Sequence, residues 1–159
     1  MNKDLKELLL AFNAQDVKYL VIGGYAVGVH SEPRATKDLD VFIRADEVNS
    51  HAVYRALASF GAPLEGFRPS DFNDEQGSAF QIGQPPTRID ILQRIDGINF
   101  DEAWEDRVDG LVEGEIRAPV ISRKHLIRNK LAIGRARDLA DVEALRDAAL
   151  ESPDNRKKP

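Results

Sequence analysis

The run Asp38-Leu39-Asp40-Val41-Phe42-Ile43 sets the firmest limit on how this chain can fold. Leu39, Val41 and Ile43 alternate with the two aspartates, which is the period of a strand buried on one face. In that conformation Asp38 and Asp40 share the other face, with Cα atoms about 6–7 Å apart. Two full charges at that separation repel by about 2–3 kcal/mol at an effective dielectric near 20. Nothing in the strand offsets this repulsion, and a divalent cation would. The bland alternative is a strand end standing in water.

A second strand repeats the theme. In Thr87-Arg88-Ile89-Asp90-Ile91-Leu92, Ile89 and Ile91 take one face and Asp90 the other. A carboxylate interrupting an apolar strand is costly to bury unless something pairs with it. Three aspartates from two adjacent strands make an all-oxygen donor set, which suits Mg²⁺. The three histidines, His30, His51 and His125, are scattered and lack ligand spacing, which disfavours zinc.

Two further features suit phosphate. Gly23-Gly24 stands between the apolar run 17–22 and a short helical stretch, 25–31, and leaves backbone N–H groups at a helix N-terminus. The stretch is neither a P-loop nor a dinucleotide fingerprint, since no Lys-Ser or Lys-Thr follows Gly28 and the G-x-G-x-x-G spacing fails. Alone, such a turn is more often a structural device. Lys130 lies on a helix predicted from Ser122 to Ile133. At 3.6 residues per turn it falls about 40° from Leu126, inside the apolar arc. Its ammonium therefore points towards the body of the protein, either snorkelling out along its stem or held against a phosphate.

The remaining pattern predicts a helix over 3–14, a strand over 17–22, and a helix over 46–61 with Asp46 as N-cap and Gly61 at its end. A long loop follows over 61–77, of a length that is usually functional or disordered. Next come a hairpin from 78–83 and 88–95, a helical turn at 100–106, and one or two strands in 111–122. Two helices close the chain, broken at Gly134. The 159 residues suit one domain over 1–150, with a core at 17–121, C-terminal helices at 122–150 and a frayed tail at 151–159. The fold class is α/β or α+β: a small mixed sheet flanked by helices, with a C-terminal helix pair.

Composition removes several function classes. The absence of cysteine excludes disulfides, thiolate zinc sites and a cysteine nucleophile. No apolar run approaches the roughly 20 residues of a membrane span, and residues 1–15 lack the layout of a signal peptide, so no membrane role and a cytoplasmic location are expected. A net charge of −5 argues against generic nucleic-acid coating. Yet 122–137 holds no acid and six basic residues, Arg123, Lys124, Arg128, Lys130, Arg135 and Arg137. That segment reads as an anion-binding surface or as a solvated helix face. It contains no aromatic residue, so base stacking is unsupported.

Together these residues resemble the DNA-polymerase-β-like nucleotidyltransferase superfamily. The matching features are Gly23-Gly24 after the first strand, Asp38-Leu39-Asp40 on the next, and Asp90 on a later one. Within that superfamily the chain looks most like the abortive-infection and type IV toxin–antitoxin nucleotidyltransferases, through "GGYAV", "RATKDLDVFI", "RIDIL" and the segment carrying Lys130, Arg135, Asp138 and Asp141. The resemblance runs from about residue 17 to 150. It implies transfer of an NMP group from an NTP to an RNA, protein or small-molecule hydroxyl with two Mg²⁺ ions, Mn²⁺ being a substitute. By that carry-over, Asp38, Asp40 and Asp90 are catalytic and hold the metals. Gly23, Gly24, Arg34, Thr36, Lys130, Arg135 and Asp138 contact the nucleotide. For Asp138 and Asp141, capping and pairing with Arg135 or Arg137 stand beside a direct role. Gly24 replaces the serine common at the second position of the turn. The resemblance also implies a toxin-like part in a two-gene or phage-defence module, with a cognate antitoxin or partner protein. The alternative is a non-catalytic module of the same fold that binds a nucleotide or a partner.

Overall fold

The computed structural model describes residues 1–33, 35–74, 76–77, 79–84 and 87–151, without the side chain of Gln84. Six strands form one mixed sheet: β1 (Tyr19–Ile22), β2 (Asp38–Ile43), β3 (Phe80–Gln84), β4 (Thr87–Leu92), β5 (Val108–Val112) and β6 (Ile116–Val120). Their spatial order is β3-β4-β2-β1-β6-β5. β1 runs antiparallel to β2 and parallel to β6, while β2 and β4 run parallel. The two edges are antiparallel hairpins, β3–β4 and β5–β6. The mixed α/β class is thus as expected, and the segment after residue 107 supplies two strands.

The helices are α1 (Lys3–Ala14), α2 (Gly23–His30), α3 (Glu47–Phe60), α4 (Phe100–Glu105), α5 (Arg123–Ile133) and α6 (Ala136–Glu151). Each boundary has a local cause. Asp46 caps α3 by accepting from Asn49 N–H at 2.7 Å, and Gly61 ends it in the left-handed region at φ 94°. Ser122 caps α5 by accepting from His125 N–H at 3.1 Å, and Gly134 ends it at φ 73°. α2 differs from the expected 25–31: it starts on Gly23 itself, directly off β1. β1 likewise begins at Tyr19, two residues later than expected.

The core fills both sides of the central strands. All four residues of β1 are buried, as are Leu39, Val41 and Ile43 of β2 and Leu5, Leu8, Leu9 and Phe12 of α1. Phe42 meets Phe100 edge-on at 5.0 Å, and Phe100 stacks on Trp104 at 5.7 Å. Trp104 is thereby a packing residue, covered outside by the Arg107 guanidinium at 3.9 Å. The long 61–77 segment is also tied down. It contains a 3-10 turn at Pro69–Phe72, whose Phe72 is buried and packs on Phe80. Gln93 donates to Asp71 O at 2.7 Å and accepts from Asp74 N–H at 2.6 Å. Among the described residues no helix is long and apolar enough to cross a membrane.

Candidate active site

The register of β2 on β4 builds the site. Asp38 lies opposite Arg88, and Asp40 opposite Asp90. Both rungs face a cleft of about 510 Å³ whose other wall is α5 and the start of α6. Gly23, Gly24, Thr36, Asp38, Asp40, Asp90, Lys130, Arg135 and Asp141 all line it. Residues from four separated stretches of sequence therefore meet in one cleft. Arg34 lies outside the described residues. Asp138 does not line the cleft; it is fully buried behind it.

The end of β1 delivers Gly23 against Asp40. Ile22 pairs with Asp40 across β1–β2, and α2 begins one residue later without a side-chain cap. Gly23 sits at φ +67°, and a Cβ built there would stand 2.5 Å from Asp40 Oδ2. Glycine is required on both counts, conformation and space. Its first duty here is to let the helix N-terminus approach the carboxylate. Thr36 sits at the entrance, where its carbonyl accepts from Tyr25 Oη–H at 3.2 Å.

The carboxylates are electrostatically strained. The Asp40 carboxyl is pushed up to about 6, first by burial, then by the Asp90 and Asp38 charges, with Arg88 opposing. Asp90 Oδ1 is buried and makes no hydrogen bond among the described residues. The repulsion within β2 does have a protein partner, supplied by β4: Arg88 Nε lies 3.1 Å from Asp90 Oδ1, and a terminal nitrogen lies 4.0 Å from Asp38 Oδ2. Sequence reasoning missed Arg88, because only the register places it beside Asp38.

A divalent cation fits part of this donor set. Asp40 and Asp90 face each other, and one buried oxygen has no hydrogen bond. One or two carboxylates completed by water and phosphate oxygens are the usual Mg²⁺ environment. Asp38 stands apart beside Arg88. Among the described residues no three His, Cys, Asp or Glu side chains are arranged to hold a metal ion. Asp40 and Asp90 are thus the pair that would carry one.

The basic segment resolves mostly into ion pairs. Lys124 pairs with Asp106 at 3.0 Å and Arg128 with Glu102 at 3.8 Å. Arg123 donates to the His30 carbonyl at 3.0 Å. Lys130 does point inward and is buried, as its place on the helix predicts. Its ammonium, however, meets Asp141 at 2.9 Å and Asp138 at 3.4 Å. Asp138 also accepts from Arg135 Nε at 2.6 Å, which with Lys130 holds its carboxyl below the usual range against the effect of burial. Arg137 and Arg94 line the cleft and make no ion pair or side-chain hydrogen bond among the described residues. Among the described residues of the cleft they are the cations with spare donors; the sequence placed Arg137 in the basic segment and did not single out Arg94.

The fold is the mixed α/β arrangement expected of a nucleotidyltransferase. The chain matches, over residues 1–147, the family described as "Nucleotidyltransferase of unknown function (DUF6036)", and it belongs to that family. Among solved structures it is similar to the lincosamide antibiotic adenylyltransferase LnuA in its lincomycin-bound form. The TM-score is 0.57 and the identity 16%, over 93% of this chain and 98% of that one. No curated protein sequence matches this chain.

Proposed function

We propose that this chain transfers an NMP group from an NTP to an acceptor hydroxyl, releasing pyrophosphate. The observation that carries the reading is the Asp40–Asp90 rung beside Gly23, where two half-buried carboxylates, one with an oxygen that has no hydrogen bond among the described residues, face a cleft with room for a nucleotide. Mg²⁺, or Mn²⁺ in its place, would be held by Asp40 and Asp90, with Asp38 joining through the nucleotide, and would stabilise the attacking and leaving oxygens. The α2 N-terminus at Gly23-Gly24 and the guanidinium groups of Arg94 and Arg137 orient the triphosphate. Lys130 acts from the cleft wall, where its pairs with Asp138 and Asp141 fix the position of α6 and hence of Arg137. Arg135, held by Asp138, supports the same wall.

The acceptor lies beyond the carboxylates. A second cavity of about 550 Å³ shares Arg94, Ile95 and Asp96 with the cleft, and Phe42, Arg44, Asp46 and Asp101 line its far side. Its size suits a small molecule. The similar solved structure, itself nearly matched in length, is an adenylyltransferase with lincomycin bound. Those two points favour a small hydroxylated acceptor over RNA or protein. Incubating the protein with each α-labelled NTP, Mg²⁺ and either a metabolite extract, RNA or protein tests both donor and acceptor. Transfer that survives in an Asp38→Ala/Asp40→Ala variant sinks the assignment of the site.

A second reading has a specific observation behind it: both Arg88 and Lys130 already have acidic partners within the protein. A module that binds a nucleotide or a cognate partner without turnover would show this. Calorimetry with ATP, GTP, CTP and UTP, with and without Mg²⁺, separates the two. A toxin-like role within a two-gene module predicts growth arrest on expression, relieved by Asp40→Asn.

A further inference from the structure

Arg88 is placed where a simple structural arginine would not be. It shares the carboxylate face of the sheet, opposite Asp38 and one rung from the Asp40–Asp90 pair. Its other neighbour across the β3–β4 hairpin is Gly83, which offers no side chain to bond. Its Nε approaches Asp90 Oδ1 to 3.1 Å, yet both atoms are buried and neither makes a hydrogen bond. Guanidinium and carboxylate ordinarily meet as a planar fork with aligned N–H groups. Here attraction is present and alignment is not. Three carboxylates and one guanidinium leave the cluster acidic, and Asp90 keeps lone pairs for a better partner.

We infer that Arg88 is a built-in counter-cation of the carboxylate cluster, competing with a divalent cation for Asp90 and Asp38. The inference rests on the nucleotidyltransferase reading of the site. An inner-sphere divalent ion needs its carboxylate oxygens at about 2.0–2.1 Å, and it repels a guanidinium that shares them. Arg88 therefore holds the cluster together without metal and lowers its affinity for the bare ion. A nucleotide brings metal and phosphate together, and phosphate is the anion that Arg88 exchanges Asp90 for. Metal loading is in this way tied to nucleotide binding.

Mn²⁺ alone, followed through the spectrum of the free ion by electron paramagnetic resonance at pH 8, tests this on the full chain. Arg88→Gln binds Mn²⁺ roughly tenfold tighter than the wild type, and Arg88→Lys, which keeps the charge, stays within about threefold of it. Arg88→Gln also unfolds at a lower temperature without metal, and Mn²⁺ restores more of its stability than it adds to the wild type. Equal Mn²⁺ affinity in wild type and Arg88→Gln overturns the inference and leaves the nucleotidyltransferase reading standing. Mn²⁺ binding by neither, even with NTP present, overturns the metal site itself. The wild type gives a check that needs no variant. On Mg²⁺ titration with NTP, the Arg88 Nε–H resonance shifts as it leaves Asp90; a resonance unmoved at saturation overturns the inference.

Discussion

At the scale of single residues, the site depends on what glycine lacks. Gly23 combines a positive φ with an approach to Asp40 that no Cβ allows. Gly23→Ala is expected to lose about 2–4 kcal/mol in urea unfolding, and to abolish NTP-dependent transfer, since relief must come from moving Asp40 or the start of α2. Gly28, five residues on in the same helix, would place its Cβ 3.8 Å from Pro33, an ordinary contact. Gly28→Ala is therefore neutral or stabilising, by up to about 1 kcal/mol, because the helix gains a better former. The same substitution, twice in one helix, has opposite signs. Arg137 gives a contrasting case. It is exposed and has no ion pair or side-chain hydrogen bond among the described residues, so Arg137→Ala changes stability by less than about 0.5 kcal/mol. Loss of one charge-assisted phosphate contact weakens NTP binding by roughly tenfold in calorimetry, and the deficit shrinks as salt rises.

At the scale of elements, the junction of α5 and α6 is held by ion pairs that set Lys130 and Arg135 against Asp138 and Asp141. Lys130→Met removes the inner cation and leaves Asp138 buried beside Arg135 alone. Breaking a buried pair from one side costs about 3–5 kcal/mol, to be measured by denaturant unfolding. Arg135→Gln, whose side chain is half exposed, costs less. Much of this junction was legible in the sequence. Ser122 and Gly134 announced the ends of α5, and the helical wheel placed Lys130 inward. A wheel gives direction and not company, so the acids that meet that ammonium read in the sequence as partners of Arg135 or Arg137 or as direct participants in the chemistry. The basic segment misled for the same reason. Asp106 and Glu102, which neutralise Lys124 and Arg128, lie about twenty residues earlier, on and just after α4. The face of Asp38, Asp40 and Asp90 followed from period two alone. Arg88 did not, because the alignment of β2 with β4 is set by tertiary packing and turn geometry that no local pattern encodes.

For the whole molecule, two carboxylates in opposite electrostatic settings, Asp40 half-buried and Asp138 buried, shape stability against pH. Asp40 has its folded value raised to about 6 from 3.8, so the folded state holds a proton that the unfolded state has already released. Its favourable contribution is complete below about pH 4 and is lost as pH rises through about 6, a change of roughly 3 kcal/mol. Asp138 is the reverse: Arg135 and Lys130 depress its folded value. Its contribution is complete above the ordinary carboxylate range and disappears as pH falls below it. The metal-free protein should therefore be most stable near about pH 4, with a loss on each side of different origin. Urea midpoints in EDTA from pH 3 to 8 follow the curve. Asp40→Asn is expected to flatten its upper limb, leaving the acid limb unchanged, and Arg135→Gln to remove much of the acid limb. Mn²⁺ binds the ionised carboxylates, so millimolar Mn²⁺ raises the midpoint at pH 8 and does little at pH 4.5. A midpoint that climbs steadily from pH 4 to 8 in EDTA would mean that Asp40 ionises without penalty, and that the rung it forms with Asp90 is not the strained, ion-seeking pair on which the proposed chemistry depends.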